Sequence, residues 1–142
     1  GFIFEKTSIW LHHKLFPILI EQPQHLQETL SLVTDVETLR FPNNIILFTF
    51  DVESLYPSIP TTEGLSALRE MIKGKFESKE LKLIMTLAAL VLEHHYLEFD
   101  GKYWRQIKGT AMGSNFAVVY PCLFLCFLEK VKGNPQQLLY CK

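Results

Sequence analysis

The fold class of this chain is indicated by residues 45–51, which read IILFTFD. The six residues before Asp51 are apolar or β-branched, and a Phe-Pro-Asn-Asn breaker precedes them at residues 41–44. A short run that is apolar on both faces predicts a buried central strand. Because ligand sites collect where such strands end, Asp51 lies at the edge where a site is expected.

Upstream of this strand, two helices are predicted. Residues 6–21 have an amphipathic pattern, with Thr7 or Ser8 as the N-cap. A second helix is expected to begin near Pro23, because proline suits the first turn of a helix. Its apolar stripe follows at near-helical spacing and consists of Leu26, Leu30, Val33 and Leu39.

Downstream of the strand, the sequence predicts three helices and one hairpin. Helices are expected over about 61–73 and about 79–95, the second apolar almost all round and therefore largely buried. An Asp-Gly pair between two β-rich runs predicts a type I′ hairpin over 97–105. A serine then caps a helix over about 115–130, and residues 138–140 begin another strand. The predicted class is α+β, helix-rich around a small antiparallel sheet.

Composition narrows the classes of function. The 142 residues suit one domain or a piece of a larger one, and 48% hydrophobic with 20% charged residues excludes a disordered chain. The net charge of −1 excludes a wholly basic nucleic-acid-binding protein but leaves room for a local basic patch. Three cysteines exclude a disulfide framework and favour reduced thiols.

The sequence shows neither a membrane-spanning run nor a signal peptide, which favours a location inside the cell. No apolar run reaches the roughly 18–20 residues that span a bilayer, and the N-terminus lacks a signal-peptide pattern. We therefore expect a nuclear or cytoplasmic protein with no membrane partner. The chain opens with Gly1 rather than methionine, so we expect it to begin within something longer.

Two residues after the predicted strand are candidates for chemistry. Asp51 could bind a divalent metal such as Mg²⁺, which prefers carboxylate oxygens; alternatively, it caps the turn that follows. Tyr56, five residues further on, could lie beneath a sugar in the same site, or it could be an ordinary core tyrosine.

A glycine-punctuated loop and the hairpin could bind nucleic acid. Residues 109–114 precede a helix N-terminus, so a phosphate or a nucleic-acid strand could dock there, or the loop could be a plain connector. The hairpin mixes basic and aromatic residues, which suits either a surface that follows a nucleic-acid backbone or a solvated face. These residues are Lys102, Tyr103, Trp104, Arg105 and Lys108.

The order of these motifs resembles a reverse transcriptase, and the similarity is to the Penelope-like retroelement family. It covers nearly the whole chain, and its specific parts are residues 50–60, FDVESLYPSIP, and residues 99–114, which contain FDGKYWRQ and GTAMGS. The resemblance implies a partial right-hand polymerase palm with part of the fingers. Residues 1–44 would be helices of the fingers leading to the palm, and residues 45–142 would be the palm segment with motifs A and B.

The resemblance also implies a role for each matched residue. Asp51 matches the catalytic aspartate of motif A, where the Val52 carbonyl is a second metal ligand. Tyr56 matches the steric gate that reads the sugar 2′ position. Motif B contacts the template and the base of the incoming nucleotide, and it is matched by Gly109, Met112, Gly113 and Ser114. Gln106 belongs to the same conserved-looking segment of the family pattern.

The implied reaction is RNA-templated extension of a DNA primer with deoxynucleoside triphosphates and two Mg²⁺ ions. Further carboxylates come, in the family, from a Tyr/Phe-x-Asp-Asp motif called C, which is expected after Lys142. This chain alone is therefore expected not to polymerise. The alternatives are a non-catalytic palm remnant that acts as a structural or nucleic-acid-binding domain and, less favoured by the motifs, an RNA-templated RNA polymerase palm.

Overall fold

The computed structural model describes residues 4–26, 28–46, 49 and 51–132. Within these ranges the chain forms six helices and two strands. In chain order they are α1 (Glu5–Ile20), α2 (Thr29–Thr38), α3 (Leu55–Ser58), α4 (Thr61–Ile72), α5 (Ser78–Glu93), β1 (Tyr96–Phe99), β2 (Lys102–Arg105) and α6 (Asn115–Lys132). The predicted α+β class is confirmed at this level, as a helix-rich chain with a small two-stranded antiparallel sheet.

Helix α6 lies at the centre of the core. It packs on α1 and α4, while α5 packs on both of those helices. Its buried side chains include Phe116, Tyr120 and Leu123, and the Phe116 and Tyr120 rings stack with centroids 5.1 Å apart. Each fully buried side chain of this size contributes about 1.5–3 kcal/mol of hydrophobic stabilisation. Helical spacing predicts a core face for α5, and the structure confirms it: Leu81 is half-buried, and the other members are buried, namely Ile84, Met85, Ala88, Val91 and Leu92.

The hairpin forms where the Asp-Gly pair predicts it. Phe99 pairs with Lys102 across the turn, and the φ angles of Asp100 and Gly101 are +52° and +67°. Two consecutive positive φ angles define the type I′ turn, whose twist matches that of the flanking strands. This local prediction is therefore confirmed.

Other local predictions differ from the structure. The chain before Thr29 is not helical near Pro23, and the stripe residues Leu30, Val33 and Leu39 are exposed. Helix α1 begins at Glu5, so neither Thr7 nor Ser8 is its N-cap. Leu83 of α5 is 48% exposed, because this helix is covered on one side only.

The predicted central strand is only partly within the described residues. Leu47, Phe48 and Phe50 lie outside them, as does the predicted strand at residues 138–140. Ile45, Ile46 and Thr49 are in no strand, and Ile46 is 86% exposed. The buried-strand interpretation therefore finds no support at the described positions of this run.

In the part of the chain that the structure describes, no helix combines the length and apolar character needed to cross a bilayer.

Gly64 allows α4 to pack closely on α6. A Cβ atom at this position would overlap the Tyr120 hydroxyl and would lie 2.8 Å from the Ile59 Cγ2 atom. The Tyr120 hydroxyl is buried without a hydrogen-bond partner among the described residues, and burial raises the pKa of this phenol.

We therefore expect Gly64→Ala to lower the free energy of unfolding by about 1–3 kcal/mol, as overpacking does. The usual effect of this change inside a helix is the opposite, a gain of up to about 1 kcal/mol. Urea unfolding of Gly64→Ala, Tyr120→Phe and the double variant measures it. In a Tyr120→Phe background the loss should be smaller, and an equal loss in both backgrounds would contradict the contact with the hydroxyl.

Candidate nucleotide and nucleic-acid site

Residues 56–59 pack directly against residues 109–110, so the two stretches on which the resemblance rests meet in the structure. The backbone N–H of Thr110 donates to the Tyr56 carbonyl at 2.9 Å, and that of Gly109 donates to the Ile59 carbonyl at 3.0 Å. Gly109 has a φ of +78°, and a Cβ atom here would overlap the Tyr56 carbonyl and lie 2.5 Å from the Pro57 Cα. Only glycine fits this close approach of two backbones.

One side of this contact forms a cleft that we call the gate cleft. Its volume is about 320 Å³, and it lies between α3 and the first turns of α6. Tyr56 lines it together with Met112, Gly113 and Ser114, three of the four residues assigned to motif B. The remaining lining residues are Asn115, Ala117 and Val118. The structure thus brings the proposed sugar gate and the end of the glycine loop to one opening.

A second opening, which we call the hairpin cleft, lies between the hairpin and the same loop. Its volume is about 420 Å³, and its walls are mainly apolar with Arg105 and Lys108 as the cations. Gln106 also lines it, and its Nε2 donates to the Lys108 carbonyl at 2.7 Å. Met112, which is 76% exposed, lines both clefts and therefore stands between them.

The N-terminal turn of α6 is held by side chains from two directions. The Ser114 Oγ accepts the Ala117 N–H at 3.1 Å, so Ser114 is the N-cap that the sequence predicts. From α1, the Ser8 Oγ accepts the Phe116 N–H at 2.8 Å, and the His12 Nδ1–H donates to the Asn115 carbonyl at 3.1 Å. Two N–H groups of this turn, with those of Gly109 and Thr110, are therefore bonded within the protein and cannot also bind a phosphate.

Ser8 and His12 were not predicted as site residues. Ser8 is 1% exposed and shares the buried side of α1 with Leu11 and Leu15. A small polar residue on an apolar helical stripe needs a hydrogen-bond partner, and that pattern is the signal that could have identified it. His12 carries no comparable signal, because its partner is a backbone carbonyl more than one hundred residues away.

Asp51 and Val52 are exposed and belong to no helix or strand. Asp51 precedes Tyr56 by five residues, which limits the distance between their Cα atoms to about 18 Å. Among the described residues there is no group of three or more histidine, cysteine or carboxylate side chains that could hold a metal. Because the two motifs would have to meet at one nucleotide, the resemblance also predicts that Asp51 lies opposite Gly113 across one cleft. Asp51 is not among the residues that line the gate cleft, so this placement stays a prediction.

The basic residues assigned to a nucleic-acid backbone are all exposed. Lys102 and Arg105 are in β2, and Lys108 follows in the connection to the glycine loop. The side chain of His95, which was not predicted, is 2% exposed just before β1, and burial lowers the pKa of its imidazole. The carbonyl of His95 accepts the Gln106 N–H at 2.8 Å, which extends the pairing of the hairpin towards the hairpin cleft.

No protein-family model, curated protein or solved structure matches this chain. The roles assigned to residues here therefore rest on the motif resemblance and on the geometry of the two clefts.

Proposed function

We propose that this chain is part of an RNA-directed DNA polymerase, a reverse transcriptase of the Penelope-like retroelement type. The observation that carries the proposal is the contact between residues 56–59 and residues 109–110, made by two backbone hydrogen bonds. The motif A and motif B stretches are about fifty residues apart in the chain, and a polymerase needs both at one nucleotide. Their meeting at the gate cleft favours the palm interpretation.

The gate cleft suits the positioning of a nucleotide. In the proposal the Tyr56 ring lies beneath the sugar, and Met112, Gly113 and Ser114 face the base and the template. Gly109 contributes indirectly, because it is buried and holds the loop against residues 56–57. Nucleotidyl transfer needs mostly positioning and charge neutralisation from the protein, and these residues would supply the positioning.

The metal site of the proposal is incomplete on this chain. Asp51 and the Val52 carbonyl would bind Mg²⁺, which typically takes one or two carboxylates along with substrate phosphates. Two-ion catalysis needs more carboxylates than Asp51 provides, and the sequence contains no Asp-Asp pair. Template RNA, DNA primer, deoxynucleoside triphosphates and a nuclear or cytoplasmic location belong to the same proposal.

Primer extension tests this function. The protein to use is a polypeptide that continues past Lys142 through a Tyr/Phe-x-Asp-Asp motif, here called the extended polypeptide. With Mg²⁺, an RNA template annealed to a DNA primer and the four deoxynucleotides, we expect template-directed extension. If the natural continuation lacks such a motif, or if the extended polypeptide does not extend the primer, the non-catalytic palm remnant is the correct interpretation.

Sugar selection tests the role of Tyr56. Replacing Tyr56 with alanine in the extended polypeptide should raise kcat/KM for ribonucleotides by about 10- to 100-fold, because the ring no longer collides with a 2′-hydroxyl. The change for deoxyribonucleotides should be smaller. Matched incorporation assays with both sugar types measure the ratio, and Tyr56→Phe is the control that keeps the ring. An unchanged ratio with a lowered Tm for Tyr56→Ala would mean that Tyr56 is a core residue only.

A further inference from the structure

The hairpin presents side chains that no other described element covers. All eight residues of β1 and β2 are exposed, including Phe99 at 70% and Trp104 at 55%. A two-stranded hairpin is marginally stable by itself, and contiguous exposed apolar groups mark an interaction site. This surface is therefore a candidate interaction site, and its chemistry indicates the kind of partner that would fit it.

Strand pairing divides the hairpin into two chemically different faces. Leu97 pairs with Trp104 and Phe99 pairs with Lys102, so side-chain alternation places these four residues on one face, which we call the aromatic face. The opposite face consists of Tyr96, Glu98, Tyr103 and Arg105. The aromatic face therefore carries a cation and no acid.

The aromatic face continues into the hairpin cleft through Leu97, which belongs to both. Beyond Leu97 the cleft offers further apolar surface at Ile107 and Met112, which are 85% and 76% exposed. Its charged lining residues are Arg105 and Lys108, and no acidic residue lines it among the described residues. Since Arg105 shares the opposite face of the hairpin with Glu98, the cations of the combined surface are Lys102 of the aromatic face and Lys108 of the cleft. This surface is apolar and aromatic and carries cations without an acid, which is complementary to an anion that carries flat apolar groups.

We propose that the aromatic face and the hairpin cleft together bind single-stranded nucleic acid. Unpaired bases offer flat faces that stack on aromatic side chains, while a cationic groove follows the phosphates. In a duplex those base faces are already stacked, so the Trp104 and Phe99 rings would have no partner. This inference rests on the proposed function and deepens it, because it states that one nucleic-acid partner is held unpaired and names the surface.

Two neighbouring aromatic residues provide the sharpest test. Trp104 lies on the aromatic face and Tyr103 on the opposite face, although both are exposed. Fluorescence anisotropy of the 142-residue chain is measured with a fluorescein-labelled oligouridylate of about 12 nucleotides, within the known range of site sizes. We expect Trp104→Ala to weaken binding by about tenfold and Tyr103→Ala to change it less than twofold. Far-ultraviolet circular dichroism confirms that both variants remain folded.

The cationic residues are tested by the salt dependence of the same binding. Each phosphate contact on a single strand contributes about −0.7 to the slope of log K against log salt. The double variant Lys102→Gln/Lys108→Gln should therefore reduce the magnitude of this slope by about 1.4. The control Lys79→Gln/Lys82→Gln removes the same charge from exposed positions of α5 and should leave the slope nearly unchanged.

Several results would overturn the proposal. Equal weakening of binding by Tyr103→Ala and Trp104→Ala would show that the aromatic face is not the binding surface. Equal affinity for a duplex of the same length would show that the protein does not prefer a single strand. Displacement of the oligonucleotide by a polyglutamate peptide, with the same dependence on Trp104, would assign the surface to an acidic protein segment. None of these measurements needs catalysis, so failure here is distinguishable from failure of primer extension.

Discussion

Replacing Asp51 with asparagine in the extended polypeptide is expected to reduce primer extension by about 10³-fold. That factor corresponds to about 4 kcal/mol of activation free energy, which is what a metal-stabilised charge contributes to phosphoryl transfer. The amide is nearly isosteric with the carboxylate but lacks the negative charge that binds Mg²⁺. Single-turnover extension at saturating deoxynucleotide measures the rate of the chemical step.

Glu53 provides the matched control for this experiment. It is an exposed carboxylate two residues from Asp51, so Glu53→Gln removes the same charge from the same segment. We expect it to retain most of the activity. Because both residues are exposed, neither change should alter the free energy of unfolding by more than about 0.5 kcal/mol. Extension by Asp51→Asn at the rate of the unmodified protein would refute the metal-binding role.

The second large effect is expected from Gly109→Ala. At this position the new methyl group collides with backbone atoms of Tyr56 and Pro57, which have little freedom to move. A positive φ adds about 1–2 kcal/mol for a residue with a side chain, and overpacking adds about 1–3 kcal/mol. We therefore expect a loss of about 2–5 kcal/mol in the free energy of unfolding, out of the 5–15 kcal/mol typical of a domain.

The variant Gly113→Ala distinguishes the two causes of this loss, which are backbone strain at a positive φ and collision with neighbouring atoms. Its φ is +99°, yet a Cβ atom here would meet nothing within 4 Å. Gly113→Ala should therefore show only the backbone strain and cost about 1–2 kcal/mol. Urea unfolding of both variants measures the difference, which isolates the contact with residues 56–57. If the two variants lose the same amount, Gly109 does not lie in close contact with Tyr56 and Pro57 in solution.

Features specified by adjacent residues could be predicted from the sequence. The Asp100-Gly101 turn and the Ser114 cap each depend on side chains and φ angles within a few residues of one another. The stripe of α5 is equally local, since its spacing alone defines a buried side. The helix-rich α+β class could be predicted for the same reason, because the spacing of apolar residues within each segment indicates a helix or a strand.

Features that depend on distant residues could not be predicted. Ser8 was assigned to the start of α1 because a serine near a helix start favours capping, but its partner is Phe116 of α6. The apolar residues at 45 and 46 suggested a buried strand, whereas Ile46 is largely exposed among the described residues. A periodic pattern states which residues favour burial and does not state what covers them. Similarly, the packing of Gly109 on Tyr56 is a tertiary contact with no local signal.

The dependence of α6 on α1 has a consequence for the order of events during protein synthesis. Ser8 and Phe116 are separated by 108 residues, so at about 5–20 residues per second the ribosome makes α6 about 5–20 s after α1. During that interval α1 gains α5 as a native partner but lacks α6, with which it makes its most extensive contact. The gate cleft therefore assembles only near the end of translation of this region, because Asn115, Ala117 and Val118 line it. A nascent chain stalled before residue 115 would lack this cleft, although it would already contain every residue that lines the hairpin cleft.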